Sequence, residues 1–266
     1  PDLGSETLVE ALRAARTRTG IKAIVLRIDS PGGSAQASDD IWREVERCRA
    51  VKPVVVSMAD AAASGGYYVA VAADSIVALP ATLTGSIGIY GGKLNVRGAL
   101  EKLGIGVETV SRGAHAEMLS PFRDFTPEEA ARFEQGLEEF YRGFVARVAR
   151  GRRLPEAAVD SLGEGRVWTG AAASRLGLVD RLGGLTTALA MARAAAKLPA
   201  DEEVGVELFP RVKRPLLERW LEELVLRDED AEAWLAVPPA LRAWTAVARL
   251  PVGEPLAVMP FRVEVR

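Results

Sequence analysis

The sequence predicts an α/β fold with a mostly parallel sheet, and two observations support this prediction. Residues 23–28 and 53–58 are short, β-branched and almost continuously apolar, which is typical of parallel strands buried on both faces. Between them, residues 35–50 have apolar side chains about one helical turn apart. A strand, a helix and a second strand in this order form a βαβ unit, whose crossover is expected to be right-handed.

Further elements are predicted along the chain. We expect a helix to begin at Ser64 and run to residue 73, and a long helix to run from Thr126 to about residue 148. Thr126 is a suitable N-cap for this helix because a proline follows it at the first helical position. Shorter elements are a strand at 75–79, a helix at 94–103, a strand at 107–110, and two helical stretches between 171 and 198 separated by Gly183 and Gly184.

Composition divides the chain into a core at residues 1–200 and a C-terminal extension at 201–266. Apolar residues from Leu216 to Val225 have the spacing of an amphipathic helix, and residues 256–265 resemble a final strand. Short helical stretches with Trp234 and Trp244 lie between them. The extension either packs on the core or forms a surface for subunit contact or membrane binding.

Charge and cysteine content exclude several classes of protein. The formal net charge of −2 gives no broad basic surface for nucleic acid. The single Cys48 excludes an intramolecular disulfide, argues against a cysteine-based metal site, and is expected to be a packing residue. We find neither a signal peptide nor an apolar run long enough to cross a membrane. Because the chain begins with Pro1 rather than Met, we expect a fragment or a processed chain.

Two glycine-bearing turns follow the two clearest strands. Residues 29–34 contain Gly32 and Gly33, and residues 61–68 contain Ser64 and Gly65. Glycine permits positive φ and lets backbone N–H groups approach a ligand closely. A tight strand-to-helix turn is the simpler explanation of the first, and an N-cap serine is the usual explanation of the second.

A catalytic interpretation of the same residues is also open. Two turns at the ends of adjacent parallel strands lie at the same edge of a sheet. The N–H groups of Gly33 and Gly65 could then stabilise an oxyanion formed when Ser64 attacks a carbonyl group.

Six motifs in order resemble the signal peptide peptidase A (protease IV) family. The resemblance covers residues 5–195 and is carried by residues 28–34, 57–68, 83–88, 112–122, 165–170 and 177–180. It implies a crotonase/ClpP-like fold built from ββα units. It also implies a Ser–Lys dyad without a metal or cofactor. Members degrade cleaved signal peptides and other apolar peptides at the bacterial cytoplasmic membrane, with the catalytic part on the extracytoplasmic side.

The family pattern assigns roles to residues of this chain. The resemblance makes Ser64 the nucleophile, Gly33 an oxyanion-hole donor, and Ser86 a residue that hydrogen-bonds near the catalytic lysine. Gly65 is the second predicted N–H donor. The expected partners are apolar peptides, further copies of the chain in a homo-oligomer, and a lysine-bearing copy of the same core.

One position departs from the pattern, because Ala116 stands where the family has its general-base lysine. Alanine cannot accept a proton from Ser64. Lys93 and His115 are the local substitutes, with Lys93 expected to be exposed and His115 expected to point away from Ser64 along a strand. Long family members contain two copies of the core, and in them the C-terminal copy supplies the serine and the N-terminal copy the lysine. This chain therefore resembles a C-terminal copy, although a short member with an engineered Lys→Ala change would look the same.

Three other functions remain open at this point. A crotonase-fold enzyme acting on acyl-CoA would use the same N–H donors, but it needs a carboxylate where this chain has Ser64. A catalytically inactive assembly module would explain Ala116. A membrane-surface binding module would rest on the extension alone.

Overall fold

The computed structural model describes residues 4–199 and 204–210. The predicted amphipathic helix, tryptophan-bearing stretches and final strand of the extension lie outside these residues. The described part contains eight helices and six strands in the order α1 (Ser5–Thr17), β1 (Ile24–Ser30), α2 (Ala35–Arg49), β2 (Val54–Ala63), α3 (Gly65–Ala70), β3 (Ser75–Ala78), β4 (Leu83–Gly85), α4 (Arg97–Lys102), α5 (Pro127–Arg152), α6 (Glu156–Leu162), β5 (Val167–Thr169), α7 (Gly170–Arg175), β6 (Arg181–Leu182) and α8 (Leu185–Ala195).

The sheet is centred on β2 and is largely parallel, as predicted. Strand β2 pairs in parallel with β1 on one side and with β3 and β4 on the other. Strand β6 extends the sheet in parallel beyond β3, and only β5 runs antiparallel, beside β4. Strand β2 is long enough to pair with β3 through its first half and with β4 through its second half. The mixed α/β class with a mostly parallel sheet is therefore confirmed.

The central strand β2 is buried on both faces, which explains why its sequence is an almost continuous apolar run. Val54, Val56 and Met58 face the main core, which also includes Val45 of α2 and Phe144 of α5. Val55 faces the opposite side and packs with Val77 and with Ala188 and Ala192 of α8. Helices thus cover both faces of the sheet, as is required when a parallel sheet is completely buried.

The long helix α5 begins where the sequence predicts. The Thr126 hydroxyl accepts a hydrogen bond from the Glu129 N–H, and the Glu129 carboxylate accepts one from the Thr126 N–H, which completes a capping box. The helix ends at Arg152, four residues beyond the predicted end. Arg153, with φ of 56° and ψ of 40°, terminates it in the left-handed conformation.

Several short elements differ from the sequence predictions. The predicted strand at 107–110 is not formed, and the predicted helix at 94–103 is reduced to α4. Val110 is 96% exposed, and residues 107–110 have no partner strand among the described residues. A β-branched run without a partner leaves its backbone groups without ladder hydrogen bonds, which explains the error. Helices α1 and α6 and the short strands β4, β5 and β6 were not predicted.

Candidate active site

Ser64 lies at the junction between β2 and α3, in a backbone conformation that is unusual for a serine. Its φ is 50° and its ψ is −118°, and a residue other than glycine adopts such angles only when its surroundings enforce them. Its N–H donates to the Gly85 carbonyl at 2.9 Å, and its own carbonyl accepts from the Tyr68 N–H at 2.8 Å. Ser64 occupies the N-cap position of α3, but its side chain makes no capping hydrogen bond, so capping by the hydroxyl does not account for a serine here.

The turn that carries Gly32 and Gly33 lies directly against Ser64. Strands β1 and β2 pair as far as Ser30 and Ala62, after an irregularity that follows Ile28. This register brings residues 32 and 33 beside residues 64 and 65. Gly32 has a φ of 119°, and a Cβ atom there would lie 3.2 Å from Ser64 Oγ and 3.0 Å from the Gly65 nitrogen. The backbone therefore approaches the serine as closely as a glycine allows.

Gly65 and Gly66 complete this close approach from the side of α3. A Cβ atom at Gly65 would overlap Ser38 Oγ of α2 and would lie 3.3 Å from the Gly33 nitrogen. At Gly66 it would lie 2.8 Å from the Ser30 carbonyl oxygen. The two glycine turns predicted from the sequence are thus packed together, with the nitrogen atoms of Gly33 and Gly65 close to one another and to Ser64.

Ser86 lies on the opposite side of Ser64, after β4. Gly85 pairs with Ala63 in the sheet, so Ser86 follows the residue whose carbonyl accepts from the Ser64 N–H. Ser86 also has positive φ, at 48°, and its N–H donates to the Arg166 carbonyl at 2.7 Å. Of the four predicted site residues, Gly33 and Gly65 therefore lie on one side of Ser64 and Ser86 on the other.

The two local candidates for a proton acceptor differ in their contacts. Lys93 is not simply exposed, as was predicted, because its Nζ donates to the Met118 carbonyl at 2.8 Å and lies 4.3 Å from the centre of the Phe125 ring. His115 lies in a turn rather than on a strand, so the strand argument for its direction was wrong. Its Nε2 is 3.4 Å from Glu128 Oε1, and its buried Nδ1 has no hydrogen-bond partner among the described residues.

Ala116 itself is exposed and lies in the same turn as His115. Its N–H donates to the Gly113 carbonyl at 3.3 Å. At the other end of the sheet, Lys52 donates to the carbonyls of Ala15 and Arg18 at the end of α1. Among the described residues, the lysines discussed here therefore have structural partners, and position 116 offers no proton acceptor.

Ser38 is a residue of the site that the sequence interpretation missed. It is buried in α2, and its hydroxyl donates to the Ser34 carbonyl at 2.9 Å while packing against Gly65. Its place in the first turns of the helix that follows Gly33 is a signal that could have identified it. Cys48, by contrast, is fully buried as predicted and packs in the core.

Comparison with known proteins identifies the family. Residues 46–199 match the family described as Peptidase family S49. The chain belongs to peptidase family S49. This match covers the nucleophile turn, Ser86 and helix α5, and it includes most of the sheet.

Named relatives of this S49 chain have similar descriptions. It is 44% identical over 75% of its length to "Serine protease SPPA, chloroplastic" of Arabidopsis thaliana, and 42% identical over 74% of its length to "Protease 4" of Salmonella typhi. It is also 34% identical over 73% of its length to "Putative signal peptide peptidase SppA" of Enterococcus faecium. These names support the predicted signal peptide peptidase A family.

The S49 chain spans only part of these relatives. The matched region covers 30% of the Arabidopsis protein, 32% of the Salmonella protein and 56% of the Enterococcus protein. Among residues 4–199 and 204–210, no helix has the length and apolar content needed to span a bilayer.

Proposed function

We propose that this chain is the serine-bearing part of an S49 serine endopeptidase. The observation that carries the proposal is the position of Ser64, held at positive φ with the Gly32–Gly33 backbone against it. A serine hydroxyl with two backbone N–H groups beside it is the arrangement needed for acyl transfer. The names of the relatives support the same chemistry.

Ser64 Oγ attacks the carbonyl carbon of a peptide bond, and a lysine amine accepts the hydroxyl proton. The N–H groups of Gly33 and Gly65 stabilise the resulting oxyanion. The C–N bond then breaks, the leaving amine takes the proton from the lysine, and an acyl-enzyme remains on Ser64. Water, deprotonated by the same lysine, attacks the ester; the C–O bond to Ser64 breaks, Ser64 Oγ takes the proton back from the lysine, and the second peptide fragment leaves as its carboxylate.

The lysine comes from another copy of the core. Ala116 supports this assignment, as does the hydrogen bond from Lys93 to the Met118 carbonyl. A lysine acts as a neutral base near pH 7 when burial lowers its pKa, so the contact between copies would also exclude water from the site. Ser86, beside the nucleophile strand, would orient that lysine.

The proposed substrates are apolar peptides, including cleaved signal peptides. The nucleophile follows Ala61, Ala62 and Ala63, whose small side chains are compatible with a narrow subsite. The segment 88–125 exposes Tyr90, with 97% of its surface accessible, and Val110, with 96%. We assign these apolar surfaces to contacts with further copies in a homo-oligomer. The enzyme would act at the bacterial cytoplasmic membrane, on its extracytoplasmic side.

Restoring the lysine tests this function. Ala116→Lys should increase hydrolysis of a fluorogenic apolar peptide by about 10²–10⁴-fold over the unsubstituted chain, because a positioned general base contributes that much. Ala114→Lys is the matched control, since it adds the same side chain two residues away, also at an exposed position. Ser64→Ala in the Ala116→Lys chain should abolish the gain. No gain in an assembled Ala116→Lys chain would favour the inactive assembly module.

A further inference from the structure

A carboxylate beside the candidate active site joins three helices. Asp39 of α2 accepts hydrogen bonds from the Tyr68 hydroxyl of α3 and from Arg147 of α5, both at 2.8 Å through Oδ1. Its other oxygen accepts from Arg43 at 2.8 Å. The Asp39 side chain is only 13% exposed, so solvent screens these contacts less than it would at the surface.

Aromatic packing fixes the same junction. The Tyr68 ring stacks on Phe140 at 5.5 Å between centroids and packs against Phe144 at 4.8 Å. The Arg147 guanidinium lies 4.6 Å from the centre of the Trp42 ring and 5.3 Å from that of Tyr68. The Tyr68 hydroxyl and the Arg147 guanidinium are thus held in place. Less side-chain conformational entropy is therefore lost when they form hydrogen bonds to Asp39.

Two of the three helices that Asp39 joins, α2 and α3, begin at the candidate oxyanion donors. Helix α2 starts two residues after Gly33, and helix α3 starts at Gly65. Ser38, next to Asp39, fills the space where a side chain on Gly65 would lie. A shift of α2 along α3 would therefore change the separation of the Gly33 and Gly65 N–H groups.

We propose that Asp39, Tyr68 and Arg147 are positioning residues that hold α2 against α3 so that the two N–H groups converge on one oxyanion. This inference rests on the proposed function, because it assumes that Gly33 and Gly65 form the oxyanion hole. Burial by itself raises the pKa of Asp39, but the Tyr68 hydrogen bond and the Arg147 charge outweigh it and lower that pKa. Asp39 consequently stays ionised at neutral pH and keeps both bonds.

Tyr68→Phe is the most direct variant, because it keeps the packed ring and removes only the hydroxyl. Tyr141→Phe is the matched control, since Tyr141 donates to Asp160 at 2.7 Å between α5 and α6, outside the α2–α3 contact. Asp39→Asn is a second variant, which removes the charge and keeps an acceptor oxygen. Thermal melting of each full-length variant measures stability separately.

All variants are made in the Ala116→Lys chain, which supplies the proposed base. The readout is binding of a peptide boronic acid, whose boron forms a tetrahedral adduct with Ser64 Oγ and carries an oxyanion-like oxygen. The same peptide ending in a carboxamide reports binding that does not use the oxyanion hole. Tyr68→Phe should weaken boronate binding by about 10-fold to 100-fold without changing carboxamide binding, because misplaced donors act only on the charged oxygen. Asp39→Asn should act in the same direction, and Tyr141→Phe should leave both affinities unchanged.

Two results would overturn the inference, and they are distinguishable. If the Ala116→Lys chain binds the boronate in preference to the carboxamide, and Tyr68→Phe and Asp39→Asn in that chain bind it equally well, the positioning role is wrong and the proposed function stands. If the Ala116→Lys chain cleaves the fluorogenic peptide but does not bind the boronate in preference to the carboxamide, the oxyanion hole is wrong and the inference falls with it.

Discussion

At the scale of single residues, backbone conformation distinguishes the candidate site from the rest of the sheet. Ser64 and Ser86 both have positive φ, and the Ser64 N–H is bonded to the residue that precedes Ser86. Such conformations in residues other than glycine cost about 1–3 kcal/mol each and are retained mainly at functional sites. The two serines therefore form a strained pair that the neighbouring strands hold in place.

Gly32 gives the first prediction at this scale. Gly32→Ala should reduce hydrolysis in the Ala116→Lys chain by about 10²-fold, since it would displace Ser64 and the neighbouring donors. A Cβ atom at residue 32 would lie 2.8 Å from Ser64 Cβ, at a φ of 119° that alanine rarely adopts. Initial rates with a fluorogenic peptide measure the effect. Gly92→Ala, where a Cβ atom meets no atom within 4 Å, is the control, and equal rates for the two variants would contradict the account.

Glu129 gives a second prediction, which concerns pH. Its carboxylate binds Arg123 at 2.5 and 2.7 Å. The hydrogen bonds from Arg123 and from the Thr126 N–H lower the pKa of Glu129 to about 2. A carboxyl group whose pKa is lowered by folding stabilises the protein above its unfolded pKa, and this contribution is lost as the pH falls towards the folded pKa.

Melting temperatures measured between pH 6 and pH 2 test this prediction. The difference between the unsubstituted chain and Glu129→Gln should be greatest near pH 6 and should shrink below a pH of about 4.5. Glu134→Gln is the control on the same helix, because Glu134 is exposed and its substitution should change the melting temperature little. A constant difference for Glu129→Gln across the range would refute the assignment.

At the scale of elements, two of the three glycines in the long helix α5 have contrasting surroundings. A Cβ atom at Gly151 would overlap the Val71 carbonyl oxygen at the end of α3, whereas one at Gly136 would meet no atom within 4 Å. Alanine favours a helix over glycine by about 0.5–1 kcal/mol. The same substitution should therefore have opposite effects at the two positions.

Gly136→Ala should raise the free energy of unfolding by about 0.5–1 kcal/mol. Gly151→Ala should lower it by about 1–3 kcal/mol, because the close contact between α5 and α3 must open to admit the methyl group. Chemical denaturation of the two variants measures both values. A stabilising effect at both positions would show that α5 does not approach α3 this closely.

The elements also show what could be predicted from the sequence. Strands β1 and β2 and helices α2 and α5 were predictable, because continuous apolar runs and a capping box have local signals. Strands β4 to β6 have two or three residues each and are formed by pairing with distant strands, which leaves little local signal. Segment 107–110 shows the converse, since β-branched residues do not form a strand without a neighbour to pair with.

The same distinction holds for the candidate site. The motifs around Gly33, Ser64 and Ser86 could be identified from the sequence, and the parallel strand order predicted that the two glycine turns would meet. The conformation of Ser64 and its contact with Gly32 could not be predicted, because both depend on the register of β1, β2 and β4. The proposed positioning role of Asp39 could not be predicted from the sequence either, because its partners Tyr68 and Arg147 lie on α3 and α5.

At the scale of the whole molecule, the described residues bring together a candidate nucleophile and two candidate donors. Lys93 is held by the Met118 carbonyl, and Ala116 stands where the proposed function requires a lysine. The exposed apolar side chains of segment 88–125 are available for contact with another copy. We therefore propose that the complete site forms in an assembly rather than in one chain.

Complementation between two inactive chains tests this central claim most directly. The unsubstituted chain has Ser64 but no lysine at position 116, and a Ser64→Ala, Ala116→Lys double variant has the lysine but no nucleophile. Each should fail to cleave a fluorogenic apolar peptide alone, and a mixture shown by size-exclusion chromatography to contain mixed assemblies should cleave it. If such a mixture did not cleave the peptide, the proposal of a shared site would be contradicted. Cleavage by the unsubstituted chain alone that is lost in Ser64→Ala would also contradict it, because the base would then lie within this chain.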